Sequence, residues 1–541
     1  MTETTVAPRT NLTRATAGMS AVTLVSRLTG FVRVWVVLNV LGSTLLNDVY
    51  QSANYVPNIL YELLAAGALQ AVLVPQIVAE LKHGDRRKAD QLASSVLVHG
   101  SVILGVVAAI GIVLAPQIMA VSLGGISEPI ARQRAITLGS QFLWLFLPQV
   151  VLYLINAVAT ALLNARDRFL LPAAAPLLNN IVVIGTYLVF AAMRGDQEPN
   201  LLLTGPEKWV LAGGTTLGVV VFCVAVGAGA WADGFRPRRP LSPRDPALVH
   251  FGRQSTWAIA YLALQPLLVL VVIRLSSAEA GNFIIWQTAW QVFLLPHTVL
   301  AVPILTTRFP TMSRQVQAGD RRGFSGSVGA GVRAIATVSL VSGAFLVAAA
   351  PLVARVIAIS DRAGDPDVLA GGLIGFAPGL IGFGIFLLLT RAFYALDDTR
   401  TPALVNVVAT SLAALAMIVG IQLVSDELRV GAMSLGFSLG QTFGAAVLAV
   451  LLYRRGVARD SPLARLGAQF GRRLAAAAGA TALGWMVAHE FVGAGWSVAA
   501  LGSGVTGGVV VATFLVLWWG IGGPTPGRAV KTMGATERGW S

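Results

Sequence analysis

Residues 16–42 read TAGMSAVTLVSRLTGFVRVWVVLNVLG, an apolar stretch with two arginines, Arg27 and Arg33, set well inside it. A bilayer-crossing helix needs ~20 consecutive, mostly apolar residues, and this stretch exceeds that length. Comparable stretches follow near 48–80, 92–120, 135–164, 170–193, 209–232, 248–274, 281–311, 327–357, 368–394, 402–424, 430–453, 473–494 and 498–521. Composition agrees, with 55% of the 541 residues hydrophobic and 12% charged, where a soluble domain carries about 25% charged residues. Mean hydropathy is +0.73. The stretches lack the polar–apolar alternation of a membrane barrel, so helices are the spanning element. The expected fold is an all-α polytopic membrane protein of about 14 transmembrane helices.

A formal net charge of +14 would fit a nucleic-acid binder if the cations formed one patch. They instead fall in short loops at alternate ends of the apolar stretches, which excludes nucleic acid and sets an orientation. Lys82/Arg86/Arg87/Lys88, Arg236/Arg238/Arg239/Arg244, Arg314/Arg321/Arg322 and Arg454/Arg455/Arg459 are expected in the cytoplasm. The opposite loops carry Asp196/Glu198/Glu207, Asp361/Asp365/Asp367 and Asp426/Glu427. Both termini are then cytoplasmic: residues 1–15 as a polar, disordered start without a cleavable signal peptide, and 523–541 as a tail. Cys223 stands alone in an apolar run, so neither a disulfide nor a cysteine metal site is available.

An internal echo divides the chain. Pro75…Gly84-Asp85-Arg86-Arg87 recurs in the second half as Pro310…Gly319-Asp320-Arg321-Arg322. Ala165/Asp167/Pro172/Ala173 recurs at nearly the same offset as Ala395/Asp397/Pro402/Ala403. An even number of spans preserves the sense of a repeat, so two six-span lobes in one orientation explain both matches. The expected organisation is an N-lobe over 16–235, a C-lobe over 236–455 and two further spans within 456–522. Paired bundles around a central cavity that rock against each other are the architecture of a transporter.

Arg27 and Arg33 are too deep to snorkel readily, and each costs at least ~2.5 kcal/mol at mid-depth on insertion scales. Six residues apart, they point about 120° from each other, so both can border one cavity. Guanidinium stays charged and offers forked donors that suit a phosphate or diphosphate. In span 2, Gln51, Asn58 and Glu62 fall within about 40° of one another, with Pro57 interrupting the helix beside Asn58. Glu62 is the acid best placed to meet either arginine. Two readings stand for each group: a polar cavity wall that yields to substrate, or a permanent clamp between helices. Asn156, Asn164, Asn179/Asn180, Gln265, Gln287/Gln291, Asn406 and Gln441 read as interhelical hydrogen bonds, and His297 and His489 as structural. No phosphate-binding glycine loop, metal cluster or nucleophile elbow occurs in a suitable context, so neither a cofactor nor catalysis is expected.

Several ordered segments nevertheless point to a known family. Ser26-Arg27-Leu28-Thr29-Gly30-Phe31-Val32-Arg33, Asn47-Asp48-Val49-Tyr50, Tyr55-Val56-Pro57-Asn58 and Gly67-Ala68…Val74-Pro75 resemble the opening of the MurJ (MviN) family. So do Leu163-Asn164-Ala165-Arg166…Arg168-Phe169…Pro172…Ala175-Pro176…Leu178-Asn179-Asn180 and Phe393-Tyr394-Ala395…Asp398-Thr399-Arg400-Thr401-Pro402. The resemblance covers nearly all the apolar chain. It implies a fourteen-span exporter of the multidrug/oligosaccharidyl-lipid/polysaccharide type, in which spans 13 and 14 form a groove for a lipid tail. The implied activity flips lipid II, an undecaprenyl-diphosphate disaccharide pentapeptide, to the outer face of the bacterial cytoplasmic membrane for peptidoglycan assembly. The family's two span-1 arginines carry over to Arg27 and Arg33.

Two further cavity arginines do not carry over. The span-2 position is Tyr61, followed by Glu62, and the span-8 position is Gln291; this variant resembles actinobacterial members. Fewer cations weaken attraction to a diphosphate in a low-dielectric site. Arg27, Arg33, Asn58, Tyr61, Glu62 and Gln291 are the expected substrate-binding residues, with lipid II or a related polyprenyl-diphosphate glycan as cargo among membrane lipids. The missing arginines leave two alternatives: an exporter of another polyprenyl-linked glycan or small molecule, and a non-transporting scaffold that recruits cell-wall synthesis or division proteins.

Overall fold

The computed structural model describes residues 9–62, 73–82, 85–242, 244–245, 264–456, 463–493 and 495–521. The expected tail at 523–541 lies outside the described residues. Its helices, in chain order, are α1 (Arg9–Leu41), α2 (Leu45–Tyr61), α3 (Val74–Lys82), α4 (Arg86–Val113), α5 (Ala115–Ser122), α6 (Pro129–Phe146), α7 (Gln149–Ala165), α8 (Leu170–Arg194), α9 (Gly205–Lys208) and α10 (Gly214–Ala232). They continue as α11 (Leu264–Ser276), α12 (Asn282–Pro296), α13 (Val302–Gln317), α14 (Arg321–Ile357), α15 (Pro366–Phe376), α16 (Gly379–Ala395), α17 (Arg400–Gly420), α18 (Arg429–Arg454), α19 (Leu463–His489) and α20 (Trp496–Gly520). Wider π-turns at Trp209–Gly213 and His297–Ala301 join α9 to α10 and α12 to α13.

Among the described residues, ten helical segments are long and apolar enough to cross a membrane, two of them made of a helix pair joined at a proline. The other expected spans correspond to α1, to α2 with α3, to α11 and to α19, so the count of fourteen stays an expectation. Large apolar side chains stand exposed along these helices, among them Val102, Ile103 and Val113 of α4 and Leu501 and Val516 of α20. An apolar exterior of that extent belongs in lipid. The chain is a multi-pass membrane protein.

Two compact units divide it, Met1–Ile284 and Ile285–Ser541, and their local architecture repeats. Pro148 separates α6 from α7, and Pro378 separates α15 from α16 at the equivalent place in the second unit. α7 and α16 end at Ala165 and Ala395, and α8 and α17 restart at Leu170 and Arg400. In each joint an aspartate takes a left-handed backbone, Asp167 at φ 61° and Asp397 at φ 58°, the two such non-glycine residues among those described. The other echo is equally literal: Asp85 caps α4 by accepting from Lys88 N, and Asp320 caps α14 by accepting from Gly323 N. The two sequence matches are therefore the same joints built twice.

Packing inside each unit follows from small residues. In the second unit, α15 and α16 lie against α18 through Gly375, Gly379 and Gly382, facing Ser434, Ser438 and Thr442. A Cβ on Gly375 would overlap the backbone of the facing helix, and the close approach lets Ser438 Oγ donate to the Gly375 carbonyl at 2.8 Å. Such contacts replace the hydrophobic drive that lipid does not supply. In the first unit the core centres on Leu92, Val96, Val150, Leu154, Val158, Leu162 and Phe222 of α4, α7 and α10. Cys223 is buried there, its thiol donating to the Leu152 carbonyl.

Candidate functional site

Helix α1 carries Arg27 and Arg33 on different faces: Arg27 is exposed and Arg33 half-buried. The helix runs beside α8, where Asn180 Nδ2 donates to Thr29 Oγ1 at 3.2 Å. That bond fixes the level at which the Arg33 guanidinium comes near the hydroxyl of Tyr187, two turns further along α8, close enough for the two to interact electrostatically. Tyr187 Oη lies 3.1 Å from Tyr50 Oη on α2, and Tyr50 Oη lies 2.5 Å from Thr215 Oγ1 on α10. Thr215 Oγ1 in turn lies 2.7 Å from the Leu211 carbonyl in the π-turn.

The ends of this row decide its direction. A carbonyl only accepts and a guanidinium only donates. Thr215 therefore gives its single proton to Leu211, Tyr50 donates to Thr215, and Tyr187 donates to Tyr50. The lone pairs of the Tyr187 oxygen are left free on the side where Arg33 lies nearby. Tyr50 and Tyr187 are fully buried, with Phe142 and Phe146 edge-on to Tyr50 at 5.9 Å. Arg33 thus lies beside a row of polarised hydroxyls, and among the described residues no carboxylate pairs with it.

Tyr153 of α7 also lies close enough to Arg33 to act on it electrostatically, and its hydroxyl donates to Asn58 Oδ1 at 3.0 Å. Asn58 Nδ2 is spent on the Asn54 carbonyl, one turn back. The structure thereby brings two expected site residues, Arg33 and Asn58, to one tyrosine-lined cluster. The others are not joined to it. Glu62 is exposed at the end of α2, and among the described residues no ion pair links it to Arg27 or Arg33. The side chain of Tyr61 lies outside the described residues, and Gln291 is half-buried on α12. Sequence reasoning missed Tyr153, Tyr187 and Thr215. Each lies in a largely apolar helix, and its cross-helix partner is far away in sequence.

Two further polar ties frame the cluster. Asp48, at the start of α2, is buried and accepts from the Gly281 and Ile284 amides at 2.7 and 3.1 Å, capping α12. Gly281 has φ +87°, and a Cβ there would strike the backbone of Ser43. At the other end of the unit, Arg166 bridges Asp90 at 2.9 Å and Asp233 at 3.4 Å, and Arg168 reaches Asp233 at 3.3 Å. The second unit has the corresponding tie with its signs exchanged. The residue after the left-handed aspartate is Asp398, not arginine, and it pairs at 2.6 Å with Arg455 at the end of α18. Burial pushes the Asp398 carboxyl up. Hydrogen bonds from the Thr401 amide and hydroxyl and from Arg455 outweigh that and hold it below its ordinary value.

With this geometry in view, comparison with known proteins gives one answer. A sequence model described as "Lipid II flippase MurJ" matches residues 37–505. The lipid II flippase MurJ of Burkholderia cenocepacia is 26% identical over 464 residues, 84% of this chain and 86% of that protein. A probable lipid II flippase MurJ from Synechocystis is 29% identical over 412 residues, covering 71% and 72% of the two chains. Among solved structures, a lipid II flippase MurJ in an inward closed conformation superposes with a TM-score of 0.72 at 16% identity, covering 93% of this chain and 99% of that one. An inward-facing multidrug-resistance transporter of the MATE family and MOP superfamily superposes at 0.65, covering 82% and 99%. At such identities the structures establish the fold, and the sequence match establishes the kinship. The chain belongs to the lipid II flippase MurJ family.

Proposed function

We propose that this chain flips a lipid-linked peptidoglycan precursor of the lipid II type across the bacterial cytoplasmic membrane. The observation that carries the reading is the family match over 37–505. That match begins just past Arg33, so the role of the arginines rests on their own chemistry. In this reading an N-lobe (16–235) and a C-lobe (236–455) enclose a cavity open alternately to each side, and spans 13 and 14 (456–522) hold the lipid tail. Both termini and the Asp90–Arg166–Asp233 tie face the cytoplasm, following the basic loops.

The substrate diphosphate meets Arg33, with Arg27 as the second cation of the same helix and Asn58, Tyr61, Glu62 and Gln291 along the wall. Tyr187 leaves most of the guanidinium fork free while holding its orientation, which suits capture of an anion. The cation is thereby set in place without being neutralised. No covalent chemistry is required of the protein.

The test is a flipping assay in vesicles that compares lipid II with another polyprenyl-diphosphate sugar. Lipid II should move and Arg33→Gln should slow it by an order of magnitude or more. Movement of the other sugar alone would overturn the cargo. Full complementation of flippase-depleted cells by a normally inserted Arg27→Ala/Arg33→Ala variant would overturn the role of the arginines.

A further inference from the structure

Another cation without a carboxylate lies far along the chain, in the packing of α14, α19 and α20. These helices share a core of Leu340, Ala344, Ala348, Ala476, Ala477, Ala480, Val510 and Phe514. One turn below Ala477 on α19 is Arg473, only 9% exposed. Its Nε has no hydrogen-bond partner, and its Nη1 has only a long 3.5 Å bond to the Gln469 carbonyl of its own helix. The guanidinium carbon sits 5.7 Å from the ring centroid of Trp518, near the end of α20. Arg333 of α14 lies close enough to act on it electrostatically. Among the described residues neither arginine forms an ion pair.

Two like charges repel, and burying one without a carboxylate is among the costliest arrangements a membrane helix can hold. By contrast, Arg166 is paired with Asp90 and Arg194 with Glu207. Here, among the described residues, Arg473 has no carboxylate partner, and Arg333 lies near enough to repel it. An anion that supplies several oxygens at once satisfies both, and phosphate does this in forked geometry. The position fits a lipid. Trp518 stands two residues from the end of α20, at the depth where aromatic rings mark the membrane–water boundary and phosphate groups lie. The α19–α20 pair also bears exposed apolar side chains, Leu474, Leu483, Leu515 and Val516, against which acyl or prenyl chains can lie.

We propose that Arg473, buried beside Trp518, binds the phosphate or diphosphate of a membrane lipid together with the neighbouring Arg333. The site is separate from the Arg33 cluster and does not depend on the cargo assignment.

The test uses the full purified chain in detergent, with lipid retention read by native mass spectrometry. Three probes are offered: a phosphatidylglycerol, undecaprenyl diphosphate and diacylglycerol. Retention of either phosphate lipid should exceed that of diacylglycerol, and Arg333→Gln/Arg473→Gln should lower it by about tenfold or more. Preference for phosphatidylglycerol assigns the site to a bulk lipid, and preference for undecaprenyl diphosphate to a carrier lipid. Should the double variant not fold, an Arg33→Gln chain suffices, because inorganic diphosphate should still displace lipid held by Arg333 and Arg473 when the first cluster no longer contributes. Retention that is equal for diacylglycerol, insensitive to inorganic diphosphate, or unchanged in a folded double variant overturns the proposal.

Discussion

Replacing Tyr187 by phenylalanine removes one oxygen from the first unit and leaves the ring. That oxygen donates to Tyr50 and lies beside the Arg33 guanidinium, to which it is expected to offer its lone pairs. A hydrogen bond to a charged group is worth about 1.5–3 kcal/mol and one between neutral groups about 0.5–1.5 kcal/mol. Tyr187→Phe should therefore cost about 2–4.5 kcal/mol. Tyr50→Phe breaks only neutral bonds, to Tyr187 and Thr215, and should cost about 1–3 kcal/mol. Equilibrium unfolding in detergent mixed with increasing SDS ranks the two, and a double-mutant cycle with Arg33→Gln isolates the shared term. Coupling of Arg33 to Tyr187 should reach about 1.5–3 kcal/mol. A coupling below about 0.5 kcal/mol would refute the link between Arg33 and Tyr187.

Three further outcomes follow from geometry already described. Arg166→Gln leaves buried Asp90 without its cation and should cost about 3–5 kcal/mol by the same unfolding measurement, and Arg166→Lys should recover only part because one ammonium cannot fork to two carboxylates. Asp398 has a depressed carboxyl, so its contribution is fully present above the unfolded-state pKa of ~3.9 and is lost as pH falls through the lower folded value. Unfolding midpoints measured between about pH 3 and pH 6 should drop at the acid end, and Asp398→Asn should flatten that drop. Asp167→Gly and Asp397→Gly relieve a left-handed backbone and should be neutral or stabilising by up to about 1 kcal/mol, whereas valine at either position should destabilise the chain.

Much of the architecture was legible because the bilayer imposes its rules on composition. Apolar length marked the helices, and the echo between the two halves marked joints that the structure builds twice, down to the paired left-handed aspartates. Arg33 and Asn58 were legible as polar groups where polarity is costly. Their partners were not. Tyr187 lies 137 residues from Tyr50, and a lone tyrosine in an apolar helix carries no periodicity that names its neighbour. The sign-exchanged tie was hidden for another reason. A repeat search looks for like residues, and Arg168 against Asp398 is a mismatch that preserves the interaction only because Asp233 and Arg455 are exchanged too. Glu62 is a different case: opposite charge and closeness in sequence made it the expected partner of an arginine, and among the described residues it forms no ion pair with either one.

The row from Arg33 through Tyr187, Tyr50 and Thr215 to Leu211 has one more property. Chains of hydroxyls inside membranes ordinarily invite proton hopping, in which each oxygen receives one proton and releases another. This row has no usable entrance or exit. Guanidinium does not give up its proton at any physiological pH, and the carbonyl at the far end does not take one. Because neither end can exchange roles, the hydroxyls cannot reverse their order either. The hydroxyls beside Arg33 therefore form a dead end for proton transfer.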